Sequence, residues 1–387
     1  MEHIYLYLAF YFIYFSCISL KSQVLSSEIS LVIKGTGIQT ILNETFYLDP
    51  IDVYVNIFHQ PSCKKTCEMT VDRNNIILVF EDGINSTENM FYNLNNLIEV
   101  DLSRFDASKV TNMNSMFRNC TKLEKITLGE INTSAVVDMS YLFNHCPKLT
   151  SIDLSHFDTS SVIKMNYIFS ECDSLTSMDL SHFNTSKLEE MHDILSMCNS
   201  LLYVNLSGFD TSKVRVMQGL FYLSDHIKYI DLGNFDGTKV ANFRYVFGYV
   251  KVASYINLRK FKLLEANNVD LHGTFETSSI TAKYCIEDSY TKNYLIPDKE
   301  SYCSDICFQK NIKVNLIPSG SDYEVTCQCN ENYKHEFLVK CYDECPGNNE
   351  TEKDGKFICE GPVGENYYLD SEDEMYRKCY YLCKNCS

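Results

Sequence analysis

The sequence predicts an α/β solenoid, with one strand and one helix per 26-residue coil, a small β cap in front and a disulfide-rich, loop-rich region behind. Three observations carry this expectation. Cutting the chain every 26 residues from Leu97 aligns LIEVDLSRFDASKVTNMNSMFRNCTK with LEKITLGEINTSAVVDMSYLFNHCPK and with four more copies, without a gap. Within each copy the apolar spacing changes from two residues to three and four. Of the 18 cysteines, 11 crowd between Cys285 and Cys386, behind the repeats.

Residues 4–18 (IYLYLAFYFIYFSCI) are almost wholly apolar and are followed by the small residues Ser19 and Ser22. This resembles a secretory h-region and cleavage zone, and it is shorter than the roughly 20 residues a spanning helix needs. Residues 1–22 are therefore expected to be a cleaved signal, leaving an extracellular, secreted or cell-surface chain with no membrane anchor of its own.

Residues 23–70 read as a β-rich N-terminal cap. Ile29 to Ile33 and Ile38 to Leu42 flank Gly35-Thr36-Gly37 and predict a hairpin, with Val53 to Ile57 as a further strand. Cys63 and Cys67 are expected either to pair with each other or to tie down neighbouring loops.

Residues 71–278 hold the repeats, with a half-matched copy at the start and a degraded one at the end. Val100 and Leu102 alternate with polar residues as a half-buried strand does. Val110, Met113, Met116, Phe117, Cys120 and Leu123 follow spacings of three and four, one face of a helix. An Asp/Asn-x-Ser/Thr step lies between them (Asp106, Asn132, Asp158, Asn184, Asp210, Asp236) and suits an Asx turn or a helix N-cap. One strand and one helix cannot bury their apolar faces alone, so the coils must stack into a leucine-rich-repeat horseshoe segment.

Stacking places equivalent residues in columns. Cys120, Cys146, Cys172 and Cys198 fall 26 apart on the apolar face and read as a buried thiol column rather than as disulfides or metal ligands. On the outward strand positions Tyr203, Tyr229 and Tyr255 form one column, with Asn205, Asp231 and Asn257 beside it and Asp153 and Asp179 continuing that second column. Aromatic residues next to polar and acidic ones are the composition of a protein-recognition face.

The phrase F-D-T-S-x-V-x-x-M-x-x-[ML]-F-x-x-C-x-x-L-x-x-[IM]-D-L-S, repeated through residues 84–278, resembles the BspA-like leucine-rich repeat of bacterial and protist surface proteins. That resemblance implies an extracellular surface protein linked to adhesion or host contact. The last coils depart from the pattern, with Ser224, Val250 and Glu276 in place of Cys.

In residues 279–387, Cys285, Cys303, Cys307, Cys327, Cys329, Cys341, Cys345, Cys359, Cys379, Cys383 and Cys386 are separated by Tyr, Asn, Gly and Pro with little apolar periodicity. Such a segment needs covalent staples, and its spacing is similar to EGF-like or furin-like cysteine-rich modules. Eleven is odd, and the last three cysteines read as the opening of a module cut short at Ser387. A zinc site is not expected, because the terminal C-x2-C has no partner pair.

A formal net charge of −17 sets aside nucleic acid and anionic lipid as primary partners. No Gly-rich phosphate loop or G-x-S-x-G elbow occurs, so neither an enzyme nor a cofactor is expected. Sequons at Asn43, Asn85 and Asn349 are glycosylation candidates in an exported chain. The expected function is adhesion or recognition, with protein ligands or host and matrix surfaces as partners. The alternative is a structural spacer or coat component that displays the cysteine-rich module.

Overall fold

The structure is a computed structural model that describes residues 26–264, 268–278 and 282–296, together with the backbone of eight strands between 312 and 378. It forms two compact units, Met1–Lys148 with Ile152–Ser161, and Leu149–Ser151 with Val162–Ser387.

The first unit contains β1 (Ser26–Lys34), β2 (Gly37–Thr40), β3 (Asp52–Val55), β4 (Phe58–His59), β5 (Thr66–Met69), β6 (Arg73–Glu81), β7 (Leu97–Asp101) and β8 (Lys125–Thr127). Six of these make one sheet in the order β4-β3-β6-β1-β7-β8. β6 alternates strictly, so Ile76, Leu78 and Phe80 face the core with Ile29, Leu31 and Ile33 of β1. β1 runs antiparallel to β6 from Ser26↔Glu81 to Lys34↔Arg73 and antiparallel to β7 on its other side. β7 then pairs parallel with β8, the next coil. One long strand thus covers the edge that the first coil would otherwise leave open.

The expected hairpin across Gly35-Thr36-Gly37 is not formed. β2 pairs with β5 instead, and β1 takes β6, whose nine residues match its own length. Cys63 and Cys67 form a disulfide with Cα atoms 5.0 Å apart.

The second unit stacks β9 (Ser177–Asp179), β10 (Tyr203–Asn205), β11 (Tyr229–Asp231), β12 (Tyr255–Asn257) and β13 (Lys283–Cys285) in one parallel sheet, in register through Tyr203↔Tyr229, Tyr229↔Tyr255 and Tyr255↔Lys283. The last step is 28 residues rather than 26. α1 (Ser289–Leu295) follows, with Asp288 as its N-cap accepting from the Thr291 N–H at 2.8 Å, and it buries Thr291 and Leu295. Further on come the hairpin β14 (Ile312–Ser319) and β15 (Asp322–Cys329), a sheet of β16 (His335–Phe337), β17 (Lys340–Tyr342), β18 (Glu350–Lys353) and β19 (Lys356–Cys359), and the hairpin β20 (Tyr367–Asp370) and β21 (Met375–Lys378).

The expected helix in each coil is absent, and this overturns the α/β leucine-rich-repeat class. The fold is a β-solenoid, and among the described residues α1 is the only helix. From Met113 to Cys120 the chain makes consecutive tight turns, with Met116 N–H on Met113 O (3.3 Å), Arg118 on Ser115 (3.2 Å) and Cys120 on Phe117 (3.2 Å). Alternate N–H groups, those of Met113, Ser115, Phe117 and Asn119, point along the stack and donate to Asp138, Ser140, Leu142 and Asn144 of the next coil at 2.8–3.0 Å. Ser115 and Asn119 have φ of 57° and 59°, a left-handed pair four residues apart. The pair recurs at Tyr141 and His145 in this unit, and at Tyr167 and Glu171, Asp193 and Met197, Gly219 and Leu223, and Tyr245 and Tyr249 in the other. A right-handed helix cannot pass through such residues.

The helix-like spacing has a physical cause. Residues at the two ends of a four-residue turn both point inward, so two successive turns bury positions 113, 116, 117 and 120, the spacing that a helix face also shows. Each left-handed non-glycine residue costs about 1–2 kcal/mol, and the hydrogen bonds between coils and the buried Met, Phe and Cys side chains offset it. Phe91, Phe117 and Phe143 stack at 5.4 and 5.7 Å in the first unit, and Phe183, Phe209 and Phe235 at 6.2 and 6.0 Å in the second.

Candidate recognition faces

The acidic and amide residues that recur after each strand close turns. Asp179 Oδ1 accepts the Ser181 N–H at 2.9 Å, Asn205 that of Ser207 at 3.2 Å, Asp231 that of Gly233 at 2.8 Å and Asn257 that of Arg259 at 3.1 Å. In the first unit Asp101 and Asp153 do the same for Ser103 and Ser155. The second Asp/Asn column, from Asp106 to Asp236, forms Asx turns of the same kind rather than helix N-caps. The Thr next to it is buried and bridges coils: Thr185 Oγ1 donates to Asp210 O at 3.0 Å and accepts the Asp210 N–H at 2.7 Å. The repeated D-L-S and D-T-S motifs are thereby explained as turn chemistry.

Tyr203, Tyr229 and Tyr255 do form a column, with ring centroids 6.1 and 6.3 Å apart, but not the open aromatic row that the sequence suggests. Tyr229 is 1% exposed, and its neighbours are half-buried. Burial, reinforced by Asp231 and Asp179, pushes the Tyr203 hydroxyl up to about 12. Burial also raises Asp231 above the usual carboxylate range, against the opposing hydrogen bonds of Gly233 N–H and Asn257 Nδ2. Asn257 is itself buried, whereas Asp153 and Asp179 are exposed. The column packs its middle ring instead of presenting it.

Within the coils a second set of half-buried aromatic residues lies on the turn segments. In the first unit the Arg118 guanidinium sits over Tyr141 at 4.4 Å and over Tyr92 at 5.8 Å. In the second, Tyr222 meets Tyr245 edge-on at 5.5 Å and Tyr249 at 5.7 Å, and Tyr245 meets His272 at 5.4 Å. Arg244 lies over Tyr245, and the Tyr249 hydroxyl donates to Glu276 Oε1 at 3.1 Å, which raises its pKa. Gly273, at φ +66°, leaves the room that Tyr245 occupies, since a Cβ there would stand 2.1 Å from the ring. These half-buried, mutually braced rings were missed because the segment was read as a helix. The signal was the recurrence of Tyr141, Tyr167 and Tyr245 at one repeat position.

Cys120, Cys146, Cys172 and Cys198 are fully buried thiols. The S–H groups of Cys120, Cys146 and Cys198 point at the carbonyls of Phe91, Phe117 and Phe169 at 3.1–3.2 Å, and Ser224 at the next position donates to Leu195 O at 2.6 Å. Cys285 is disulfide-bonded. Cys327 and Cys329 lie on β15, Cys341 on β17 and Cys359 on β19, while Cys303, Cys307, Cys345, Cys379, Cys383 and Cys386 lie outside the described residues. Asn43 uses its side-chain amide on Tyr92 O at 2.8 Å, whereas Asn85 is exposed and accepts from the Tyr47 hydroxyl at 3.2 Å. Asn349 lies outside the described residues, as does the predicted signal. No cluster of three or more potential metal ligands occurs among the described residues.

A family described as Mycoplasma protein of unknown function, DUF285, matches residues 85–203 and 176–283. Together the two matches run from 85 to 283, just over half of the 387 residues. No curated protein and no solved structure matches the chain.

Proposed function

This chain belongs to the DUF285 family, and we propose that it is an exported surface protein whose β-solenoid binds protein ligands on host or matrix surfaces. The observation that carries this reading is the turn face of the second unit, where Tyr222, Tyr245, Tyr249 and His272 brace one another beside Arg244 and Glu276. Tyr and Arg supply large contact area at low entropic cost, and a solenoid backbone holds them in place before a partner arrives. The apolar leader, the cysteine-rich tail and the resemblance of the coils to BspA-like surface repeats support export and surface display. No catalytic constellation, cofactor or nucleic-acid partner enters this reading.

The test compares adhesion of the full chain to matrix-coated and cell-coated surfaces with that of a Tyr222→Ala, Tyr245→Ala, Tyr249→Ala variant. The reading expects wild-type binding that saturates and a loss of about tenfold or more in the variant, at a temperature where far-UV circular dichroism shows both chains folded. A chain that binds neither surface, while its cysteine-rich region oligomerises, returns the solenoid to the role of spacer.

A further inference from the structure

The cap carries a feature that recognition by the coils does not use. Ile38 is 77% exposed, Phe58 66%, Ile57 54% and Val71 47%, with Tyr47 and Ile51 also exposed elsewhere in the cap, whereas among the described coils that follow β6 only Val137 and Leu264 are large exposed apolar residues. Val71, and Ile57 with Phe58 at the β3–β4 turn, lie at the end of the cap sheet where β1 ends at Lys34, β6 begins at Arg73 and β3 ends at Val55, and Ile38 lies on β2, the strand that leads away from that end opposite Glu68 of β5. Asn74, completely buried, ties these loops together. Its Oδ1 accepts from Asn56 Nδ2 at 3.0 Å, and its Nδ2 donates to Gly35 O at 3.2 Å and Val71 O at 2.6 Å. Asn56 in turn exchanges backbone and side-chain bonds with Asn75.

Asn56 and Ile57 form the two-residue tip of the β3–β4 hairpin with φ of 49° and 74°, where Asn-Gly is the ordinary choice. A β-branched residue with φ above zero is an outlier, and this one spends its strain on presenting an apolar side chain to water.

We propose that this loop cluster inserts into the hydrocarbon boundary of a lipid bilayer. Area decides against a second copy of the chain: the four side chains offer on the order of 400 Å², against about 800 Å² per partner in a stable protein interface. Protruding tips from separate loops also suit a deformable medium better than a facing surface. Charge fits as well, because the patch carries Lys34, Asp72, Arg73 and Glu68, the last opposite Ile38 in the β2–β5 pair, and so is neutral in a chain of net charge −17. Insertion is therefore driven by apolar burial and opposed, not aided, by anionic headgroups. Ser26, the first described residue, pairs with Glu81 at the opposite end of β1, roughly 30 Å away along a nine-residue strand.

The chain contains no Trp, so Phe58→Trp places a single reporter at the tip. With phosphatidylcholine vesicles the full-length variant should shift its emission to the blue and be quenched by lipid brominated on the acyl chains. Adding Ile38→Asp and Val71→Asp, both at exposed sites, should lower vesicle binding read by the same reporter by about tenfold or more. A reporter that stays unquenched when the chain sediments with the vesicles overturns the proposal. So does quenching that appears only with anionic lipid, or a blue shift that follows protein concentration without lipid, which would assign the patch to self-association.

Discussion

Leu223 sits at φ 60° on the turn face, half-buried, with its N–H on Gly248 O at 3.0 Å. Replacing it by Ala and by Gly removes the same side chain apart from one methyl, so the difference between the two variants reads the backbone alone. In a left-handed site Ala keeps a strain of about 1–2 kcal/mol that Gly escapes, and Gly gives back roughly 0.5–1 kcal/mol of unfolded-state entropy. The Gly variant should be the more stable by about 0.5–1 kcal/mol, some 2–3 °C in melting temperature for a unit of this size. A helix makes the opposite demand, with Ala ahead by about 1 kcal/mol. Thermal unfolding of the full chain, followed by far-UV circular dichroism, measures the ordering. The same pair at Met197, φ 56° with its N–H on Tyr222 O at 2.7 Å, repeats the test one coil away. Ala more stable than Gly at both sites would refute the turn ladder and restore the helix.

Other expectations follow from the same contacts. Burial raises the thiols of Cys120 and Cys146 and pushes Cys198 up to about 12 from an ordinary 9.0, so the folded chain holds protons that the unfolded chain releases. Stability from these sites is intact below pH 9 and is lost as pH rises towards 12, by about 1.4 kcal/mol per pH unit for each thiol, which denaturant titrations at pH 8, 9 and 10 would reveal. The four repeat thiols should also resist a disulfide reagent until the chain unfolds. Thr185→Val leaves the Asp210 N–H and C=O without their bridge and should cost about 2–3 kcal/mol, measured by the urea midpoint. Asn74→Ala strips three partners in the cap and should destabilise it by about 2–4 kcal/mol, seen as faster amide exchange at Ile76 and Leu78.

The period of the repeat and the identity of its core were legible residue by residue. Val110, Met113, Met116, Phe117 and Cys120 are expected inside and are inside, and of the two readings open for Asp106, an Asx turn or a helix N-cap, the structure has the Asx turn. The conformation joining them was not legible, because two tight turns in succession and two turns of helix bury the same positions. The residues that distinguish them, Ser115, Tyr141, Asp193 and Leu223, have no common preference for positive φ, since coil-to-coil hydrogen bonds impose it. The Tyr column was legible as a column, but whether it faces water depends on packing that periodicity does not encode. The cap strand β1 was found, yet its partners β6 and β7 lie far along the chain, beyond the reach of local turn signals.

The step from β12 to β13 has a consequence for how such a chain can change length. From Asp231 to Asn242 the last regular coil uses 11 residues, and from Asn257 to Asp270 the next uses 13, yet Asn242 still bridges Asp270 and the left-handed residues reappear at Gly273 and Thr277. Two residues have been admitted at one corner without disturbing the ladder on either side. Within the ladder itself an insertion would slide alternate N–H groups off their acceptors and turn the buried columns outward. The solenoid therefore has a unit of growth: it accepts a whole 26-residue cassette, or a few residues at that corner, and little in between. Splicing a copy of residues 201–226 into the second unit should lengthen its sheet by one strand spacing, about 4.8 Å, and leave the cap and α1 as they are.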